Sequence, residues 1–121
     1  MSRIPESEWE WFGNAGHFIC GRWCRFHLCT KVGPWLVSTV GEYVHPRHSK
    51  GNEADEFSDI GCDRKYETMV FLAGERCVAT DCGCGLPFID GSERDMLPAN
   101  TAKEAAENHV VLCKKYAEIQ P

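Results

Sequence analysis

The stretch RFHLCTKV, residues 25–32, constrains the fold most, because its side chains alternate between two sides with a period of two. One side is apolar or β-branched and comprises Phe26, Leu28, Thr30 and Val32. The other side is mostly polar and comprises Arg25, His27, Cys29 and Lys31. Such alternation predicts a half-buried β-strand. A turn signal follows at residues 33–34, and WLVSTVGEYV continues with strand-forming residues over 35–44, so a β-hairpin is predicted.

The remaining core elements are a third strand and a final helix. KYETMVFLAG predicts a strand over 65–74, whereas 75–100, rich in Gly, Pro, Asp and Cys, predicts nothing regular longer than a turn. Thr101 and Glu104 fit a capping box and predict a helix over 102–118. Its inner stripe is predicted to be Ala102, Ala106, His109, Cys113 and Tyr116, widened by Ala105, Val110, Leu112 and Ala117. We therefore predict a single α+β domain over 1–121: a small antiparallel sheet, a Cys-rich irregular segment, and a C-terminal helix packed on the sheet.

Two further segments surround this predicted core. PESEWEWF predicts a short helix over 5–12, and we interpret residues 1–16 as an N-terminal lid on the core. An aromatic contact patch is the alternative for this segment. Residues 45–60, HPRHSKGNEADEFSDI, predict a long polar loop, basic at its start and acidic afterwards; loops of this length often carry function.

Charge and hydropathy restrict the class of protein. The net charge of −5 argues against broad attraction to nucleic acid. No apolar run approaches the roughly 20 residues that span a bilayer. The opening MSRIPESEWEWFG lacks the apolar core of a signal peptide. A soluble, cytoplasmic protein is expected.

The cysteine content is high for a cytoplasmic chain of 121 residues. Cytosolic thiols stay reduced, so the cysteines favour metal binding or catalysis over a disulfide framework. There are eight of them: Cys20, Cys24, Cys29, Cys62, Cys77, Cys82, Cys84 and Cys113.

The first candidate metal site joins the glycine-flanked loop CGCG to the final helix. Cys82 and Cys84 lie one residue apart in that loop, and His109 and Cys113 lie one helical turn apart. Two plus two such ligands suit tetrahedral Zn²⁺, which would anchor the irregular 75–100 segment to the helix. Cys77 is a rival ligand that could replace His109 or Cys113. The alternative is that His109 and Cys113 are simply buried residues of an amphipathic helix.

A second candidate metal site lies in HFICGRWCRFH, residues 17–27. His17, Cys20, Cys24 and His27 have spacings of three, four and three, which would share one face of a helix or converge around a turn at Gly21. A second zinc ion is therefore a candidate cofactor. The alternative is that the cysteines are small core residues and the histidines are at the surface.

Two other functions are weighed against metal binding. A Cys–His hydrolase, using Cys24 or Cys62 with His45 or His48, needs a thiolate of lowered pKa beside an imidazole, and no local pattern supports such a pair. Single-stranded nucleic acid could stack on the 22–31 strand, where cations and aromatics interleave. The alternative for that strand is an ordinary strand with one solvated face.

A family resemblance is carried by five stretches: GHFICGRWCRFHL, LVSTVGEYV, GCDRKYETMVF, CGCGLP and NHVVLCKKYA. Together, over residues 11–116, they resemble a group of small proteins of tailed bacteriophages and prophages that has no established activity. The resemblance implies a bacterial host cytoplasm and an accessory role, such as counter-defence, and it transfers no catalytic residue. The preferred hypothesis is thus a zinc-stabilised binding module, without catalytic activity of its own, that targets a host protein or a small ligand.

Overall fold

The computed structural model describes residues 4–12, 24–43, 65–78, 87–89 and 92–120. These residues form a short 3₁₀ helix (Glu6–Glu8), six β-strands and one α-helix, α1 (Ala102–Tyr116). The strands are β1 (Glu10–Trp11), β2 (Cys24–Val32), β3 (Trp35–Tyr43), β4 (Tyr66–Arg76), β5 (Pro87–Ile89) and β6 (Asp95–Ala99). A small antiparallel sheet with a C-terminal helix is therefore confirmed.

The strands form one antiparallel sheet in the order β1-β2-β3-β4-β5. Strand β4 is long enough to pair with two strands along one edge: β6 pairs with Tyr66–Val70 and β5 with the stretch from Ala73 to Arg76. A register irregularity lies between Ala73 and Arg76. Both β5 and β6 fall where the sequence predicted only turns, so that prediction is wrong. Pro98 within β6 is tolerated because an edge strand can point a missing N–H away from the ladder.

The predicted β2–β3 hairpin is confirmed, with Val32 paired to Trp35 across the turn. Gly33 adopts a φ of 58°, which favours glycine, and the tight turn depends on it. A Cβ at Gly33 would also lie 2.2 Å from Cδ1 of Ile4, so the N-terminal segment packs directly on the turn.

Both faces of the sheet are buried. On the first face, α1 packs over β2, β3 and β4 around a cluster that comprises Trp9, Val32, Trp35, Val37, Val70, Leu112, Cys113, Tyr116 and Ala117. The opposite face also carries buried residues, namely Cys29, Leu36, Ser38, Val40, Glu67, Met69 and Phe71. The sheet thus forms the middle of the fold rather than one exposed side.

The side chain of Arg76 connects the end of β4 to β1. Its guanidinium forms a salt bridge with Glu10 and lies 5.5 Å from the ring centroid of Phe12. Glu10 pairs with Lys31, whose side chain points away from the helix by strand alternation. The Arg76 guanidinium therefore lies on the face of the sheet opposite α1.

Helix α1 begins at the predicted cap. The hydroxyl of Thr101 accepts from the backbone N–H of Glu104 at 3.1 Å, and the Glu104 carboxylate accepts from the N–H of Asn100 at 3.1 Å. Of the predicted stripe, Ala105, His109, Leu112, Cys113 and Tyr116 are buried, whereas Ala102 and Ala106 are half-buried. The helix ends at Tyr116, and the chain after it meets the N-terminal segment through the N–H of Ile4 and the carbonyl of Ala117, 3.0 Å apart.

The N-terminal segment differs from its prediction. A 3₁₀ turn and the two-residue strand β1 replace the expected helix over 5–12. Trp9 is only 9% exposed and packs in the core cluster. Its indole N–H donates to the carbonyl of Ile4 at 3.3 Å. The predicted 45–60 loop lies outside the described residues.

Candidate functional site

A buried histidine links the helix to three strands of the sheet. The Nε2 atom of His109 lies 2.8 Å from the hydroxyl of Thr30 on β2, and Nδ1 lies 2.7 Å from that of Thr39 on β3. The Thr39 hydroxyl in turn lies 2.7 Å from that of Thr68 on β4. All four side chains are buried. We call them the threonine–histidine network.

The network is hydrogen-bonded throughout with a neutral imidazole. Burial lowers the pKa of His109 to about 4, so the ring carries one N–H donor and one acceptor at neutral pH. A hydroxyl both donates and accepts, so Thr30 and Thr39 can complement either ring tautomer. A satisfied buried network of this kind fixes the position of the helix on the sheet.

The buried thiols near this network are not nucleophiles. Cys113, one helical turn after His109, is fully buried, and desolvation raises its pKa to about 12 although Thr30 hydrogen-bonds to it. Cys29 on β2 is also buried, and desolvation raises its pKa to about 12. The reactive form of cysteine is the thiolate, so both side chains are held in the unreactive state.

The structure shows half of the first predicted metal site. His109 and Cys113 share the inner face of α1, as their spacing predicted. However, each ring nitrogen of His109 already faces a threonine hydroxyl, so metal binding would have to displace one of these hydrogen bonds. Cys82 and Cys84 lie outside the described residues. Within the described ranges, no group of three or more His, Cys, Asp or Glu side chains could hold a metal ion, and zinc stays a prediction.

The rival ligand Cys77 is half-buried and directly follows Arg76, the last residue of β4. Within the described residues, it belongs to no group of three or more potential metal ligands.

The second predicted metal site falls mostly outside the described residues. His17 and Cys20 lie there entirely, and so does the side chain of Cys24, whose backbone begins β2. His27 is half-buried on β2, opposite Val40. Because residues 24–27 are strand, the helical arrangement of this cluster does not hold at its C-terminal end.

Trp11 is an exposed aromatic residue that lies beside the threonine–histidine network. Its indole lies 5.5 Å from the imidazole of His109, centroid to centroid, at a tilt of 37°. It is nevertheless 53% exposed, in contrast to Trp9 two residues earlier. Trp9 is therefore part of the core, whereas the Trp11 side chain is exposed beside it.

The backbone of Trp11 faces outward as well. Glu10 pairs with Lys31, and the N–H of Phe12 donates to the carbonyl of Cys29 at 2.8 Å. In an antiparallel ladder, hydrogen-bonded pairs alternate with non-bonded ones, so the N–H and C=O of Trp11 point away from β2. Among the strands described, none pairs with this outer edge of β1.

Three carboxylates of the segment that contains β1 are exposed: Glu6, Glu8 and Glu10. A hydrogen bond from Arg76 lowers the pKa of Glu10, and that pairing leaves Glu6 and Glu8 as the acidic side chains that extend from the segment. We call these three glutamates and Trp11 the β1 surface.

A second constrained region lies at the far end of the sheet. Gly41 stands between Phe26 and Tyr66, whose rings meet edge-to-face with centroids 5.3 Å apart. The Tyr66 hydroxyl donates to Glu42 at 2.9 Å, and burial together with this bond raises the pKa of Tyr66 to about 12. Glu42 has a φ of 55°, a strained value for a residue with a side chain. These contacts hold the ends of β2, β3 and β4 together.

The nucleic-acid and hydrolase alternatives gain no support from the described residues. Phe26 packs on Tyr66, and Lys31 donates through Nζ to the carbonyl of Gly33 at 2.7 Å, so neither extends into solvent for base stacking. Of the hydrolase candidates, Cys62, His45 and His48 lie outside the described residues.

No described helix is long and apolar enough to cross a membrane.

No family model, curated protein or solved structure matches the chain.

Proposed function

We propose that the protein is a small phage-type accessory protein that acts in the bacterial host cytoplasm as a binding module, occupying a host protein, with counter-defence as one such role. The observation that carries the proposal is the contrast between His109 and Trp11. Both ring nitrogens of His109 are hydrogen-bonded inside the fold, whereas the Trp11 ring that contacts the imidazole is 53% exposed to solvent.

The burial of His109 and Cys113 favours a binding function over a catalytic one. A general base needs a pKa near the working pH and access to its substrate. His109 has a pKa of about 4 and is buried, and Cys113 is a buried thiol with a pKa of about 12. These groups are suited to holding the helix in place.

The Trp11 side chain has the properties of an interface anchor. Tryptophan is enriched among the few residues that carry most of the free energy of protein–protein binding. The strand pairing with Thr30 and the contact with His109 hold the indole before any partner arrives. A side chain that is ordered in advance loses less conformational entropy on binding.

The test compares Trp11→Ala with Val111→Ala, a control at a side chain that is 55% exposed on α1. Tagged wild type and both variants are isolated from infected cells, and each co-purified protein is then titrated in pure form. We expect Trp11→Ala to weaken binding by at least about tenfold at unchanged melting temperature, and Val111→Ala to bind like wild type. Equal binding by all three proteins would exclude the Trp11 surface as the contact.

Zinc stabilisation is the second part of the proposal. Its support is the residue chemistry of Cys82 and Cys84 and the shared inner face of His109 and Cys113. An ion held there would supply cross-linking of the 75–100 segment to α1, and the chain's own contribution would be two or more deprotonated thiols. Metal content, considered in the Discussion, tests this part separately.

A further inference from the structure

We propose that the outer edge of β1 binds an extended, basic segment of a partner protein by strand addition, with an Arg or Lys side chain placed over the exposed face of the Trp11 indole. This inference rests on the proposed function and specifies the chemistry of the partner. It depends on three features of the β1 surface: its backbone direction, its aromatic ring and its charge.

The backbone supplies the first part of the argument. The N–H and C=O of Trp11 point away from β2, while Glu10 and Phe12 bond to it. An extended peptide laid along this edge would satisfy both groups with one pair of main-chain hydrogen bonds. Because β1 has only two residues, main-chain bonding alone gives little affinity, and the side chains must supply the rest.

The ring supplies the second part. A cation above an indole face is attracted by the ring quadrupole, most strongly for tryptophan among the aromatic residues. One side of the Trp11 indole is backed by His109, with ring centroids 5.5 Å apart, and the indole is 53% exposed to solvent. The residue of the added strand directly across from Trp11 shares its face of the sheet. That residue is the one expected to be Arg or Lys.

Charge decides between a partner segment and a second copy of this chain. The segment that leads into β1 carries three exposed carboxylates, Glu6, Glu8 and Glu10. A second copy carries the same negative charge, from Glu6 and Glu8 in addition to the salt-bridged Glu10, and like charges disfavour its approach. A basic segment is complementary to the same surface and would also be steered towards it.

The probe is an acetylated, amidated six-residue peptide of alternating Arg and Val, compared with the same peptide N-methylated at its Arg residues, whose N–H groups would face Trp11 in an antiparallel pair. Binding is measured by calorimetry at low salt and by the shift of the Trp11 backbone amide in a ¹⁵N spectrum. We expect the unmethylated peptide to bind, to shift that amide, and to weaken as salt is added. N-methylation, which removes strand hydrogen bonds but keeps the charges, should reduce affinity at least about tenfold.

Matched variants locate the site. Trp11→Ala should abolish the response and Val111→Ala should leave it unchanged. The double variant Glu6→Gln/Glu8→Gln should weaken binding more than Glu93→Gln/Glu107→Gln, which removes the same charge from exposed positions elsewhere.

Three outcomes would overturn strand addition: no binding, equal affinity for the N-methylated peptide, or a dimer of the free protein that Trp11→Ala dissociates. If the peptide fails but Trp11→Ala still loses the cellular partner, the proposed function stands and only this inference fails. If neither experiment depends on Trp11, both are refuted.

Discussion

Nδ1 of His109 and Oγ1 of Thr39 lie 2.7 Å apart, and the same threonine oxygen lies 2.7 Å from Oγ1 of Thr68. Thr39 therefore connects the helix to β4 through a single hydroxyl on the middle strand. Three consecutive strands of the sheet are joined to α1 by this chain of polar atoms, in a region that excludes solvent.

Replacing Thr39 by Val should destabilise the protein by about 1–3 kcal/mol, because His109 and Thr68 each lose a buried partner while shape is kept. The matched control is Thr39→Ser, which keeps the hydroxyl and should cost less. Urea denaturation of both variants gives the comparison. Equal stability of the two variants would show that the hydroxyl contributes nothing.

The stability of the protein should depend on His109 below neutral pH. The folded-state pKa is lowered from 6.5 to about 4 by burial, so the folded state binds the proton less readily than the unfolded chain. The stabilisation is therefore complete above about pH 6.5 and is lost as pH falls towards 4, by about 3 kcal/mol. Chemical denaturation at a series of pH values measures this slope.

Acidic side chains also titrate towards the low end of this range, so the variant His109→Gln isolates the histidine. The difference between wild type and His109→Gln should shrink from pH 7 to pH 4. A difference that stays constant over this range would contradict a neutral, buried imidazole.

Gly41→Ala should destabilise the sheet end by about 1–3 kcal/mol or more, because a Cβ there would lie 2.0 Å from Cδ2 of Tyr66. Gly74→Ala is the control, since its nearest contact is the carbonyl of Phe88 at 3.4 Å. Thermal melts of both variants test the difference. In a Tyr66→Ala background, the cost of Gly41→Ala should fall, and additive costs would show that the ring is not the obstacle.

Zinc content tests the first predicted metal site. If Cys82 and Cys84 join the helix through an ion, elemental analysis should find zinc in the purified protein, and Cys84→Ser and Cys113→Ser should each release it. Melting temperature alone does not discriminate, because Cys113 is fully buried and its replacement disturbs packing in any case. Wild-type protein without zinc, or variants that retain it, would refute the ligand set.

Much of the fold follows from local patterns. The hairpin was predicted over 25–32 and 35–44 and is observed at Cys24–Val32 and Trp35–Tyr43, because alternation and a Gly-Pro turn are local signals. The helix start at Ala102 was predicted from its cap. Strand β6 was missed because it takes its conformation from pairing with β4, and its sequence, DMLPA, contains a proline.

The candidate site was only partly predictable. Spacing placed His109 on the inner face of α1 beside Cys113, and alternation placed Thr30 on one side of β2. That these residues meet depends on which sheet face the helix covers, which no local pattern specifies. A buried imidazole and a metal ligand also look alike in sequence, since both occupy the apolar stripe of a helix.

The hydrogen bonds of His109 join positions 79 and 70 residues apart along the chain. Contacts that close such long loops form late, after the hairpin and the helix have assembled. Their loss should therefore accelerate unfolding and leave the folding rate almost unchanged. In a cell, proteases act on molecules that have opened. The three threonine hydroxyls and the imidazole would then determine how long each folded molecule survives, and not how fast it folds.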